Sequence, residues 1–398
     1  MRVYITILIL LSTNILLGQD SLAYNTEQKN NKTIEFINNT FTEVGSDHIP
    51  FGFFAKFLFG GNISEKEKGN LDAYEKYRRS GFEIDQEFGI KVLNSNSENG
   101  WYLNFQHLNS GAITYPQLLY NAVFDGNTNI ENEISLDQMK FHYRKHQIFH
   151  IGIVRKNLEI GFAIGNILEE NYGKLNTENQ LLFNNPYEWT VDINPEMVIT
   201  ENTNNFLLQN GNSLGLDLRI FKKIEKNKGQ FYYDISLKNI GVVILHNNIK
   251  ELNYDTTFVY SGLRIEDLIN IDSTLQNLSS DLEPQNINQN KIITSPFTFN
   301  SHFSYLFKNM TYYSTVFYRH NSQYLPKIKF GCRHNINKNI SLGTQISYGG
   351  YTKFQWGSQI IIEHQKLLYS ISINNLLGAI PSVGKSFGIN FHLKWQII

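Results

Sequence analysis

The sequence predicts an all-β protein: a transmembrane antiparallel β-barrel of about fourteen strands, within roughly 12 to 16, carrying short helical insertions. Three observations lead there. Apolar and polar residues alternate with period two in one segment after another, so alternate side chains project to opposite faces of a sheet. Aromatic residues make up 14% of a chain that is polar on average and only 18% charged, which suits a sheet with one lipid face and one wet face better than a dry core. The chain also opens on a leader-like segment, and no later stretch is apolar enough to cross a membrane as a helix.

The start reads MRVYITILILLSTNILLGQD. Arg2 is a short basic start, Tyr4 to Leu11 is an apolar run that Ile15 to Leu17 continue, and Gly18 is a small residue before Gln19. That order predicts a signal peptide over residues 1–18, cut near Gly18 or Gln19. Ser12, Thr13 and Asn14 interrupt the run, well short of the ~20 apolar residues of a spanning helix. No Cys stands near the cut, which excludes a lipid-anchored lipoprotein, and Cys332 is alone, so no internal disulfide forms. An exported chain without disulfides fits the bacterial envelope, and the expected location is the cell outer membrane. A mature chain that enters lipid without helices must do so as a barrel, where strand pairing satisfies every backbone N–H and C=O. No linker-like shift in composition divides the 398 residues. We therefore expect an N-terminal segment over 19–50 and one barrel over 51–398.

The alternating segments follow in order. Leu158, Ile160, Phe162 and Ile164 oppose Glu159, Gly161, Ala163 and Gly165; Leu214 to Ile220 oppose Ser213, Gly215, Asp217 and Arg219. Phe231, Tyr233, Ile235 and Leu237 oppose Tyr232, Asp234, Ser236 and Lys238. Phe297, Phe299, Phe303, Tyr305 and Phe307 share a parity broken by Ser301. Ile340 to Tyr348, Phe354 to Ile362 and the ending FGINFHLKWQII repeat the pattern. Turn signals separate them at Arg155 to Asn157, Lys308 to Met310, His320 to Gln323, Asn335 to Asn339, Gly349-Gly350 and Glu363 to Gln365. An aromatic-rich last strand is suited to close the barrel and to be read by the barrel-insertion machinery; an edge strand this apolar in water would invite aggregation. Three segments break the alternation, at 62–80, 111–124 and 262–282. Their spacing is helical, with Leu118, Leu119, Ala122 and Val123 in the second and Ile265, Leu268, Ile271, Leu275, Leu278 and Leu282 in the third.

YPQLLYNAVFDGN from Tyr115, FYYDISLKNIGVVILHNN from Phe231, FVYSGLRIEDLI from Phe258 and ISINNLLGAIPSVGKSFGINFHLKW from Ile371 carry a resemblance. Together they resemble an outer-membrane β-barrel family of unknown function from Bacteroidota-type bacteria, over about Phe51 to Trp395. Leu245 stands where that family often has Trp. The ending is also similar to PorP/SprF-like barrels, associated with secretion, and to fatty-acid-transporter-like barrels. The resemblance implies a signal peptide followed by one barrel and brings no catalytic residues.

Chemical motifs are sparse. GNSLG (Gly211 to Gly215) matches a nucleophile elbow, but a period-two strand follows where that motif needs a helix, so Ser213 reads as a strand start. His142 and His146 are neighbours only on a helix. The alternation with Phe141 and Tyr143 favours a strand, which sets them about 13 Å apart. Asp125-Gly126-Asn127, and Asp267 with Asp272, lack calcium-loop spacing. Glu83, Asp85 and Glu87 share one strand face and read as lumen or rim charges. Lys222, Lys223, Lys226 and Lys228 read as a solvated turn, with anionic lipid headgroups the minority reading. We therefore expect no enzyme, no catalytic, cofactor-binding or metal residues, and no cofactor. A net charge of −1 gives no field for nucleic acid. The expected function is passage or binding of a small ligand, hydrophobic ligands included, because the apolar insertions could partly occlude the lumen. The alternative is a structural or assembly component of a secretion or surface-anchoring system. The expected partners are outer-membrane lipid, the insertion machinery and that ligand.

Overall fold

The computed structural model describes residues 32–53, 56, 60–64, 77–94, 98–125, 133–176, 179–185, 188–200, 209–226, 229–253, 256–260, 285–287, 289–380 and 383–397. The predicted signal peptide and the helical insertion at 262–282 lie outside these residues.

Fourteen long strands run antiparallel around a closed circuit. We number them β1 (Thr33–Ser46), β2 (Tyr77–Asn94), β3 (Asn99–Pro116), β4 (Lys140–Arg155), β5 (Leu158–Leu175), β6 (Gly211–Lys226), β7 (Gly229–Leu245), β8 (Thr298–Phe307), β9 (Met310–Arg319), β10 (Leu325–Asn335), β11 (Ile340–Gly350), β12 (Thr352–His364), β13 (Leu367–Ile373) and β14 (Ser386–Ile397). Each pairs with the next, and β14 pairs back onto β1 from Ile34↔Ile397 to Gly45↔Ser386. Closure leaves no barrel edge to pair with another chain. The apolar parity of the last strand is thereby used at the seam, where Phe36 and Trp395 sit opposite with ring centroids 5.7 Å apart.

The period-two pattern sorts the side chains as expected. Phe162 is 61% exposed on the outside while Ala163 beside it is 1% exposed. Leu214, Leu216, Phe330, Tyr348, Phe354 and Trp356 are likewise exposed outward. An apolar band of this kind, on a closed barrel, is solvated by acyl chains. No helix among the described residues is long and apolar enough to cross a membrane.

The first strand corrects the domain boundary. The barrel starts at Thr33, inside the segment set apart as 19–50. Polar Asn38, Thr40 and Thr42 occupy outward positions there, and Phe41 points inward, which blurs the alternation. The short connections lie at the end shared by the two termini: Lys156-Asn157, Lys308-Asn309 and Gln365-Lys366 are two-residue turns. Their first residues take φ of 52°, 53° and 51°, as tight hairpins require. Gly349 and Gly350 end β11 with φ of 109° and 78°, a backbone that side chains with a Cβ rarely adopt.

The long connections occupy the opposite end, together with the single-residue link Tyr351 between β11 and β12. Of the predicted insertion at 62–80, residues 62–64 have no regular structure and Tyr77 to Ser80 begin β2. Gly111 to Pro116 complete β3, and the helix is shorter than expected: α1, Gln117–Asp125. It is wedged between two apolar clusters. Ala122 packs with Ile134, Leu136 and Leu181, and Tyr120 with Ile49, Phe53 and Tyr115. Leu118 and Val123, predicted on the apolar stripe, are exposed instead. Strands 133–135, 180–185, 188–193 and 256–260 form a separate four-stranded sheet beside α1. Strands 195–200, 249–253 and 285–287 extend the wall beyond β5, and 291–294 pairs with the end of β7. There Ile167, Val243 and Leu245 turn inward and pack with Val198 and Ile249.

The lumen as candidate functional site

Inward parity puts a different chemistry on each half of the lumen. From β11 to β14 the inner face is uncharged in its buried part and hydrogen-bonded between neighbours: Ser347 donates to Gln355 at 3.1 Å, Gln359 to Ser370 at 3.1 Å and Asn390 to Ser372 at 3.0 Å. From β1 to β7 the inner face carries carboxylates, and these reach across the lumen. The Arg319 guanidinium on β9 donates to Glu83 at 2.7 Å and to Asp85 at 2.6 Å, both on β2. Lys327 on β10 donates to Glu43 on β1 at 2.7 Å, and Lys238 on β7 to both oxygens of Glu87 on β2 at 2.8 Å. None of these strand pairs is adjacent in the sheet, so each bond is a strut through the interior. Glu43, Glu83, Arg319 and Lys327 are all buried. A charge removed from water this completely is tolerated only when paired. Here the pairing comes with further bonds, from Tyr324 and Gln355 to Glu43 and from Asn104 to Glu87.

A second tier lies along β4 to β7. His150 Nδ1 is 2.7 Å from Asp217, whose other oxygen accepts from the Asn239 backbone N–H at 2.7 Å. Arg219 joins Glu159 to Asp234, at 3.3 Å and 2.7 Å, and Lys91 reaches Glu159 at 2.5 Å. Two β-bulges shape this part of the wall. The β4–β5 register slips at Leu168, so that Glu170 faces inward opposite Arg144. The β6–β7 register slips at Asn239, whose φ of 61° turns its N–H onto Asp217. An extra residue in one strand reverses its parity, which re-aims the side chains that follow.

Between the struts and the neutral half lies a cavity of about 40 Å³, enough for about one water molecule. Asp85, Glu87 and Lys327 line one part of it, and Phe41, Phe317 and Tyr324 another. Tyr324 also meets Tyr351 edge-on, with centroids 5.0 Å apart. Gly81 leaves room for that second ring, since a Cβ there would come within 2.4 Å of it.

The residues singled out in the sequence fall as follows. Glu83, Asp85 and Glu87 do share the lumen face of β2, now with named cationic partners. Ser213 is the third residue of β6, the strand start expected of it; it is fully buried, its Oγ lies against Gly165, and the strand continues after it. His142 and His146 both point inward from β4 but do not share a partner: His146 is taken by Glu170 at 2.6 Å. Lys222 is exposed near the β6–β7 turn, and Lys223 pairs with Glu225 at 3.2 Å; Lys228, Gly126, Asn127, Asp267 and Asp272 lie outside the described residues. Sequence reasoning missed Arg319 and Lys327. Their signal was available: each is a charge on the lumen parity of its strand in a chain poor in charge.

No protein-family model and no curated protein sequence matches the chain. Among solved structures it is similar to a deletion mutant of the TodX monoaromatic hydrocarbon channel, at 7% identity and a TM-score of 0.39, over 93% of this chain and 90% of that one. It is similar also to the translocator domain of the autotransporter NalP from Neisseria meningitidis, at 7% identity and 0.32, over 91% and 88%. A porin of Rh. blastica aligns at 4% identity and 0.26, over 91% and 100%. All three likenesses are weak, and the barrel assignment rests on the closed strand pairing itself. The Bacteroidota-type and PorP/SprF-like resemblances find no counterpart in these comparisons.

Proposed function

We propose that the protein is an outer-membrane barrel for passage or binding of a small ligand, held shut at rest by the ion pairs that cross its lumen. The observation that carries this reading is the set of struts Glu83–Arg319, Glu43–Lys327 and Glu87–Lys238. A purely structural barrel gains little from burying so many charges, because buried pairs seldom stabilise more than apolar packing would. Paired charges on opposite walls can, however, exchange partners with a polar solute. The mixed wall of Phe41, Phe317 and Tyr324 beside Asp85 and Lys327 suits a ligand with both an apolar body and polar groups. Hydrophobic ligands would meet the aromatic part alone.

Planar-bilayer conductance tests the proposal. The wild type should conduct weakly, and the double variant Glu87→Gln/Lys238→Met, which removes one strut without leaving a lone charge, should conduct at least several-fold more. Equal, near-zero currents from both would refute passage. One observation favours the alternative reading of an assembly role: in the four-stranded sheet beside α1, the outer strands 133–135 and 256–260 each have a single partner among the described residues. That reading requires stable co-purifying proteins together with silent conductance. In either case the outward aromatic row of β14 is our proposed recognition segment for the insertion machinery.

A further inference from the structure

One patch of the lumen wall has hydrogen-bond donors that no protein group uses. On β3, Ser110 is fully buried and its Oγ has no partner. On β4, His142 is 4% exposed with both ring nitrogens unpartnered. Arg144, 3% exposed, gives Nη2 to Glu170 at 3.0 Å and has no protein partner for Nε or Nη1. The register brings the three together. Ser110 lies directly opposite Arg144, and His142 is two residues along the same face, opposite Ala112. Opposed residues hold their Cβ atoms about 5 Å apart, and same-face neighbours along a strand are about 7 Å apart.

Orphaned polar groups at this burial are costly, of the order of the free energy of the lost hydrogen bond. Here Ser110 and Arg144 can donate, and His142 can donate through one ring nitrogen. Glu170 neutralises part of Arg144 through one nitrogen, and it is itself occupied by His146. What is left over is a set of N–H and O–H groups on one stretch of the inner wall, which is the complement of an oxyanion.

We infer that Ser110, His142 and Arg144 form an anion subsite of the lumen, and that the solute taken up by the barrel is a small organic anion bearing a carboxylate or phosphate. This deepens the passage reading and rests on it for the word solute, but the subsite itself is testable without passage.

The test is equilibrium dialysis of the purified full-length protein in detergent micelles against two labelled probes, inorganic phosphate and acetate. Saturable binding of either probe at one site per chain is expected, and which of them binds more tightly identifies the class. His142→Phe and Ser110→Ala remove no protein hydrogen bond, so both variants should fold; the β-sheet circular dichroism of each checks this. His142→Phe should weaken binding about tenfold or more and Ser110→Ala several-fold, the loss of one hydrogen bond to a charged group in each case. Binding of neither probe means that the donors are satisfied by resident water only, and the inference falls. Binding that both variants leave unchanged places the anion elsewhere and overturns it equally. Silent conductance with intact, variant-sensitive binding would refute passage and leave the subsite standing.

Discussion

Arg319 is the group whose removal the structure speaks to most directly. Its side chain is 2% exposed and serves Glu83, whose side chain is fully buried, and Asp85 beside it. Arg319→Ala leaves two carboxylates on one face of β2 without their shared cation. Breaking a buried pair by deleting one partner costs roughly 3–5 kcal/mol. Two bare carboxylates about 7 Å apart add about 2 kcal/mol of repulsion at an effective dielectric constant near 20. The two figures overlap, since both describe the same unpaired charge, so a loss of about 4 kcal/mol is the expected outcome. The triple variant Arg319→Met/Glu83→Gln/Asp85→Asn removes the charges together and should recover to within about 1 kcal/mol of wild type. Urea unfolding in lipid vesicles, followed by the fluorescence of outward Trp101, Trp356 and Trp395, measures both. The reasoning fails if Arg319→Ala unfolds at the wild-type midpoint, or if the triple variant is as unstable as the single one.

Further outcomes follow from the same geometry. Phe162→Arg puts a charge on the lipid face of β5 and should cost about 2–4 kcal/mol in the same unfolding experiment if it lies near the bilayer midplane, whereas Ser372→Ala, on the neutral lumen wall, removes one hydrogen bond from Asn390 and should cost about 1 kcal/mol. Gly81→Val drives a side chain into the Tyr351 ring and should cost about 1–3 kcal/mol through overpacking, with Gly81→Val/Tyr351→Ala milder than the sum of the two single changes. Burial holds the His48 imidazole, in the connection after β1, below its ordinary value of 6.5, against the pull of Asp47. Its neutral form is therefore the one the fold prefers. The stability it contributes is full above about pH 6.5 and is lost as pH falls toward the lowered value. Protease nicking of the connections should rise over that interval, and His48→Asn should flatten the rise.

How much of this was legible in the sequence depends on what each residue's environment is. The lipid face was readable because one rule governs it: an outward residue in the band meets acyl chain, whatever strand it is on. Phe162, Leu216, Phe354 and Trp395 obey that rule, and the strand count followed from it. β1 escaped because Asn38, Thr40 and Thr42 take outward places there. In α1 the helix was legible but its buried side was only half right, since Tyr120 and Phe124 are held by Ile49 and Phe53 from a connection that no periodicity links to it. The lumen was legible as a polar face and no further. Glu83 could be placed on the inner wall from its neighbours at i+2 and i+4, but its partner Arg319 is 236 residues away, and only barrel closure decides which opposite wall it meets.

The bulges show why that last step matters for function. Because Leu168 is the extra residue, Glu169 pairs with outward Lys145 and Glu170 with inward Arg144; if every residue of β5 paired in unbroken register, Glu169 would face Arg144 and Glu170 would turn outward. A simple hairpin with unbroken alternation would be easier to read and would set Glu169, not Glu170, against the buried cation. The irregular strand satisfies the cation through one nitrogen and leaves Nε and Nη1 without a protein partner on the face shared with Ser110 and His142. The departure from period two is thus where the wall stops being only a wall. The expectation it sets is specific: deleting Leu168 removes the bulge and leaves Glu170 opposite Arg144, so phosphate and acetate binding should persist, and its loss in a variant that still folds would refute the register argument.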